Sequence, residues 1–236
     1  MQLKFNNQFK SILFMKQNSI LRKSAKAALS GHWASAVLFV LVFGALYLLV
    51  QLPNYVAQGF LDNSPLISFV LSLLCLVLIF LFLPASWSFE VAFLSQLREK
   101  DSFSLRSLFC GYSDFGRVFS TCFGIVIYTI CWGLLLLVPG IIKAYSYAMT
   151  PYILLDDKDI HGEDAIDKSM KMMDGHKWQL FKLDLLFGLL FLLGIFTVGI
   201  AWLWIFPWWY SSRAAFYEEL RLENEAQLVV AEEEMK

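Results

Sequence analysis

The sequence predicts an all-α fold: a polytopic transmembrane helical bundle of about six spans, paired as three helical hairpins, each preceded by a short amphipathic cytoplasmic helix. Three observations predict it. Hydrophobic residues make up 58% of the 236 and charged residues only 17%, whereas soluble domains run near 45–50% apolar and about 25% charged. Four long stretches, 33–61, 63–89, 118–142 and 185–212, hold no charged residue. Every Lys and Arg but Lys143, 18 of the 19, falls in or beside the segments on one side when those stretches are threaded back and forth. A soluble globule of this size has too little interior to hide so much apolar surface, so lipid is the natural solvent.

Residues 1–15 read as an N-terminal extension, expected to be disordered, because the helical pattern starts at Met15 and Lys16. Residues 16–221 read as one transmembrane domain and 222–236 as an acidic cytoplasmic tail. No cleavable leader is expected: the first apolar run is long and follows roughly thirty mostly polar residues, so it stays as an anchor.

The first span is expected over 34–52, stopped by Pro53 and Asn54. The second covers 66–87 and the third 118–138. The dipeptide Pro139-Gly140 then marks a reversal into a short fourth span, 141–155, with Lys143 inside it. The stretch 185–212 is longer than one span of about 20 residues needs and shorter than two. It reads, with its flanks, as a tight hairpin with arms 178–196 and 200–220 turning at Thr197-Val198-Gly199.

Placing the N-terminus in the cytoplasm puts the basic segments inside, the positive-inside pattern with both termini cytoplasmic. Asp62 is then the lone acid on the far side, and the bare far face leaves no room for an external receptor or enzyme domain. The net charge of −1 gives no global field for nucleic acid.

The three inner segments resemble one another. In the first, Ile20, Leu21, Ala25, Ala28 and Leu29 form one face and Arg22, Lys23, Lys26 and Ser30 the other. In the second, Leu105, Leu108, Phe109 and Tyr112 recur at helical spacing. In the third, Ile166, Met170 and Met173 do so, with Asp164–Lys168 and Asp167–Lys171 as i,i+4 pairs. Gly31, Gly111 and Gly175 are the expected helix stops. Gly31-His32-Trp33 and Gly175-His176-Lys177-Trp178 match closely. The returning spans each carry a proline beside an aromatic: Pro84, Pro151 and Pro207. An interfacial helix plus a hairpin, used three times, accounts for the pattern.

Tyr152-Ile153-Leu154-Leu155-Asp156-Asp157, the run from Glu163 to Met170 continuing through Gly175-His176-Lys177-Trp178, and Ala214-Ala215-Phe216-Tyr217-Glu218-Glu219-Leu220 carry a resemblance. With Leu21-Arg22-Lys23-Ser24 and Ser30-Gly31-His32-Trp33, they are similar to the bacterial integral membrane proteins of domain-of-unknown-function family 975. The resemblance covers nearly the whole chain after Met15. It implies a multi-pass protein of the bacterial cell membrane with unassigned activity, and it implies no catalytic residues.

Ionisable groups in or near the spans are the strongest chemical hints, since burying them costs several kcal/mol unless they are satisfied. Asp184 and Arg213 stand on adjacent arms of the last hairpin and are the candidate intramembrane polar pair. Lys143, Glu90, Trp33 and Trp178 read as interfacial anchors. The acidic run 156–164 lacks calcium-loop spacing and reads as a solvated turn that caps the following helix. His32, His161 and His176 are scattered, and Cys75, Cys110, Cys122 and Cys131 show no CxxC pair, so no metal, cofactor or disulfide is expected. Nucleophile-elbow, zinc-protease and P-loop motifs are absent from the sequence.

The expected role is non-enzymatic: a structural, accessory or envelope-homeostasis protein whose partners are membrane lipids and other membrane proteins. The alternative is a small transporter or permease, its path lined by the proline-kinked spans.

Overall fold

The computed structural model describes residues 18–60 and 64–234, with side chains to 225, residue 60 excepted. The expected extension 1–15 and Asp62 lie outside the described residues. Among the described residues every regular element is helical.

Helix α1 covers 18–28. Leu21, Ala25 and Leu29, one turn apart each, are buried, while Lys23 and Lys26 are exposed. The chain stops at Gly31, whose φ of 86° suits glycine alone, and starts again at Trp33. Gly175, at φ 79°, makes the same stop before α9.

Helix α2, Trp33–Phe60, runs straight through Pro53. The expected stop at Pro53 and Asn54 is therefore corrected. Proline removes one backbone bond, and in apolar surroundings the remaining peptide groups have no partner better than the helix itself. Side chains support this stretch, with Gln51 bonding Tyr47 at 2.9 Å and Gln58 bonding Asn54 at 3.1 Å.

Helix α3, Pro65–Leu81, returns along α2. Phe82 joins it to α4, Leu83–Glu99, which holds Pro84 in its first turn and is buried along most of its length. A left-handed Lys100, φ 55°, ends α4. Residues Leu105–Tyr112 form a 3-10 helix rather than the expected α-helix. There Gly111 is no stop: its N–H bonds the Ser88 hydroxyl at 2.8 Å, holding the segment flat on α4.

Helix α5, Phe115–Leu135, and α6, Leu137–Tyr147, form the next pair. The reversal falls at Leu136, which is extended, and not at Pro139-Gly140, which lies inside the first turns of α6. Proline needs no donor there, so it starts the helix rather than making the turn. The expected span 141–155 is also broken. Residues 148 and 149 separate α6 from α7, Thr150–Asp156, and Pro151 stands in the first turn of α7, where its missing N–H breaks no helix bond.

Helix α8, Gly162–Met172, has Glu163 and Asp164 in its first turn and Lys171 in its last, matching the helix dipole at both ends. Helix α9, Lys177–Gly194, a 3-10 turn at Ile195–Thr197, and α10, Trp202–Glu234, form the third pair. Val198 and Gly199 take left-handed conformations in the turn. The backbone of the acidic tail continues α10 as helix to Glu234.

Among the described residues, four helices are long and apolar enough to cross a membrane: Trp33–Gly59, Pro65–Glu99, Phe115–Leu135 and Lys177–Thr197. The segment 137–147 is too short, and Arg213, Glu218 and Glu219 interrupt the apolar part of α10. The packed core lies toward the charged end of the bundle. Phe39, Phe89, Phe93, Tyr152, Leu154 and Phe187 are all buried there. Most exposed large apolar side chains lie on the outer parts of the helix pairs instead.

Candidate functional site

Asp184 on α9 and Arg213 on α10 meet in the third pair. Arg213 Nη1 lies 3.6 Å from Asp184 Oδ2, and both side chains are largely buried. Trp209, one turn before Arg213, joins them. Its Nε1 donates to Asp184 Oδ1 at 2.7 Å, and the Arg213 guanidinium sits 5.3 Å from its ring centre. A cation over an indole face gains electrostatic attraction in a setting where water cannot solvate it. Arg213 Nε is buried without a hydrogen-bond partner.

Glu90, on α4, adds a second carboxylate to the surroundings of Arg213, and the buried Tyr152 hydroxyl of α7 has no hydrogen-bond partner. Glu90 is half-buried and lines an open cleft of about 450 Å³ with Phe43, Phe82, Cys122 and Tyr210. It is the only carboxylate in that lining. A lone carboxylate in an apolar cleft can accept hydrogen bonds from a cationic or hydroxyl-bearing group. Around it the interior is filled with rings: Phe43 stacks on Phe89 at 4.0 Å, and Tyr210 stacks on Phe93 at 5.3 Å.

A second polar network closes the charged end. Arg98 of α4 pairs with Asp156 of α7 at 2.5 and 2.9 Å and also with Glu218 of α10. Tyr217 donates to the same Asp156 at 2.8 Å. Burial would raise the Asp156 carboxyl, but the bonds from Arg98 and Tyr217 outweigh it and hold the group below the ordinary carboxylate range. Arg117, nearly buried, donates from Nη1 to the carbonyls of Leu154 and Asp157 at 3.1 Å each, and from Nε to Asp114 at 2.5 Å. It caps the C-terminal end of α7.

The remaining sequence candidates stay apart from these clusters. Lys143 packs over Trp132 at 5.0 Å and beside the Met170 sulfur. Trp33 is half-buried at the start of α2. Trp178 is exposed at the start of α9, stacked on Phe181 at 4.9 Å. Trp209, Tyr152 and the buried role of Arg117 were not singled out from sequence. Trp209 had a usable signal, since it precedes Arg213 by four residues on one helix face.

Most of these groups, Arg117, Asp156, Asp184 and Arg213 among them, fall in one continuous segment. Residues 113–224 match the family model of a protein of unknown function, DUF975. The DUF975 match begins after α4, so Glu90, Arg98 and the motifs around Leu21 and Trp33 lie outside it. No curated protein and no solved structure matches the chain. The DUF975 segment supplies α7 and the part of α10 up to residue 224, whose polar residues meet those of α4 across its boundary.

Proposed function

We propose that the chain is a non-catalytic, multi-pass protein of a bacterial cell membrane that works through its lipid-facing and helix-packing surfaces, in an accessory or envelope-homeostasis role. Both termini lie in the cytoplasm, with the basic segments on that side. Membrane lipids and other membrane proteins are its partners. The observation that carries this reading is the interior itself. Asp184 and Arg213, two of the groups that would line a path, are paired with each other, and stacked rings pack the core beside Glu90. Such packing suits a scaffold, with Arg213 and Asp184 held by each other rather than left free for a solute.

A second reading, a small permease, is favoured by one feature: Glu90 standing in an apolar cleft. Proteoliposome flux separates the two. Purified protein in sealed vesicles is expected to leave the flux of protons and rubidium at the level of empty vesicles. Protein-dependent flux that disappears in Glu90→Gln would overturn the scaffold reading and establish the permease.

A further inference from the structure

We propose that the α5–α6 pair does not cross the bilayer, but forms a short apolar finger that ends among the acyl chains of the leaflet on which α8 lies. The proposal rests on the membrane reading above. It starts from where α8 sits. Ala165, Ile166, Ser169 and Met172 are buried, whereas Glu163, Asp164, Asp167, Lys168 and Lys171 are all exposed. A helix with that exposed face belongs at the headgroup level, since each charge moved into hydrocarbon costs several kcal/mol.

Both arms of the pair are fastened to this charged helix. On α5, Thr121 Oγ1 accepts from the Gly162 N–H at 3.1 Å, and the Tyr128 hydroxyl bonds Glu163 at 2.6 Å. On α6, Lys143 Nζ lies 3.6 Å from the Met170 sulfur, and Ser169 bonds the Ser146 carbonyl at 2.8 Å. The last of these tethers is Tyr128 on the way out and Lys143 on the way back. What projects beyond is 129–142, about seven residues per arm. At 1.5 Å per residue that is roughly 10 Å, a third of the ~30 Å hydrocarbon thickness. If the tip reached the far side, Glu163 and Lys143 would have to sit deep in hydrocarbon.

The tip has the chemistry of a segment that never meets water. Residues 134–138 read Leu-Leu-Leu-Leu-Val, and Leu134 is 82% and Leu137 74% exposed. The α2–α3 pair makes the opposite case. Its arms have 28 and 17 residues, long enough to span, and the sequence from 54 to 64 holds Asn54, Gln58, Asp62, Asn63 and Ser64. One pair thus ends in polar residues suited to water, and the other in five large apolar ones. The occupant of the finger's exposed surface is lipid acyl chain, and the protein takes up more cross-section in the α8 leaflet than in the opposite one.

Cysteine accessibility in oriented, sealed proteoliposomes tests this, using the full chain. Leu136→Cys and, separately, Val138→Cys are treated with a membrane-impermeant maleimide from each side, with Lys168→Cys and Asn63→Cys as reporters of the two faces. Labelling is read by peptide mass spectrometry, so the four native cysteines stay in place. Expected is no labelling of residue 136 or 138 from either side until detergent is added. A fluorophore on residue 136 should be quenched most by lipids brominated near the headgroup end of the chain in the α8 leaflet. Labelling of 136 and 138 from the Asn63 side would show a full crossing and overturn the finger while leaving the membrane reading intact. Labelling from the Lys168 side would place the tip in water and overturn it too. The membrane reading itself falls on a different result: Lys168→Cys and Asn63→Cys labelled from the same side, with the chain released by alkaline carbonate.

Discussion

Arg117 Nη1 sits 3.1 Å from the Leu154 carbonyl oxygen, joining the first turn of α5 to the last turn of α7. The same nitrogen reaches the Asp157 and Ile160 carbonyls, so one guanidinium satisfies backbone acceptors that the end of a helix leaves open. Removing a nearly buried charged donor leaves those acceptors and Asp114 without their partner. Arg117→Ala is expected to destabilise the protein by about 3 kcal/mol, and Arg117→Lys by less, since Lys keeps the charge but loses the fork. Thermal unfolding in detergent checks this. Equal melting temperatures for wild type and Arg117→Ala would show that α7 does not depend on the cap.

Asp156 makes the stability depend on pH at the acid end. Its carboxyl is held below the ordinary value by Arg98 and Tyr217 acting against burial. A group depressed in the folded state adds stability above its unfolded value, about 3.9 for Asp, and that stability goes as pH falls through the folded value. The melting temperature is therefore expected to be level from about pH 7 to 5 and to fall below about 4. Asp156→Asn should lower it at neutral pH, with the gap to wild type closing as the medium becomes acidic. A gap independent of pH would mean that the network acts by shape and not by charge.

How much of this was legible follows from the range of each interaction. The apolar stretches needed only composition and order, and among the described residues four helices have the matching length and apolarity. The approach of Asp184 to Arg213 follows from arithmetic, because each stands about four helical turns from the reversal at Val198. The break at Leu136 was missed because Pro139-Gly140 is the stronger local turn signal. Proline serves equally well inside a first turn, and nothing local chooses between the two. The 3-10 form of Leu105–Tyr112 was missed because its register is imposed by α4, through the bond from Gly111 to Ser88. The contact of Tyr128 with Glu163 joins residues of two separate helices, and no periodicity encodes it.

The pair of Asp184 and Arg213 predicts non-additive energetics. Each partner left alone becomes an uncompensated charge, so Asp184→Asn and Arg213→Gln should each cost about 3 kcal/mol. The double variant should cost clearly less than their sum. Trp209→Phe removes the donor to Asp184 while keeping a ring under the guanidinium, and should cost about 1 kcal/mol. The charge-swapped double, Asp184→Arg with Arg213→Asp, should insert and fold better than either reversal alone. Additive losses across the cycle would dissolve the pair into two unrelated contacts.

Two glycines near the tip of the α5–α6 pair, Gly133 and Gly140, are expected to respond oppositely to the same added methyl. A Cβ on Gly140 would lie 2.8 Å from Gly133 Cα and 3.0 Å from its nitrogen, against backbone that cannot swing aside. A Cβ on Gly133 meets nothing within 4 Å, because it points away from the crossing. Gly140→Ala should therefore push the arms apart and cost about 1–3 kcal/mol. Gly133→Ala should be neutral or slightly stabilising, since alanine favours helix over glycine by nearly 1 kcal/mol. Unfolding midpoints of both variants in one detergent decide the matter. Equal gains would mean that helix propensity rather than the close crossing governs this pair. A loss at Gly140 alone would show that the arms need bare backbone at their contact, as apolar helices held together without a hydrophobic driving force generally do.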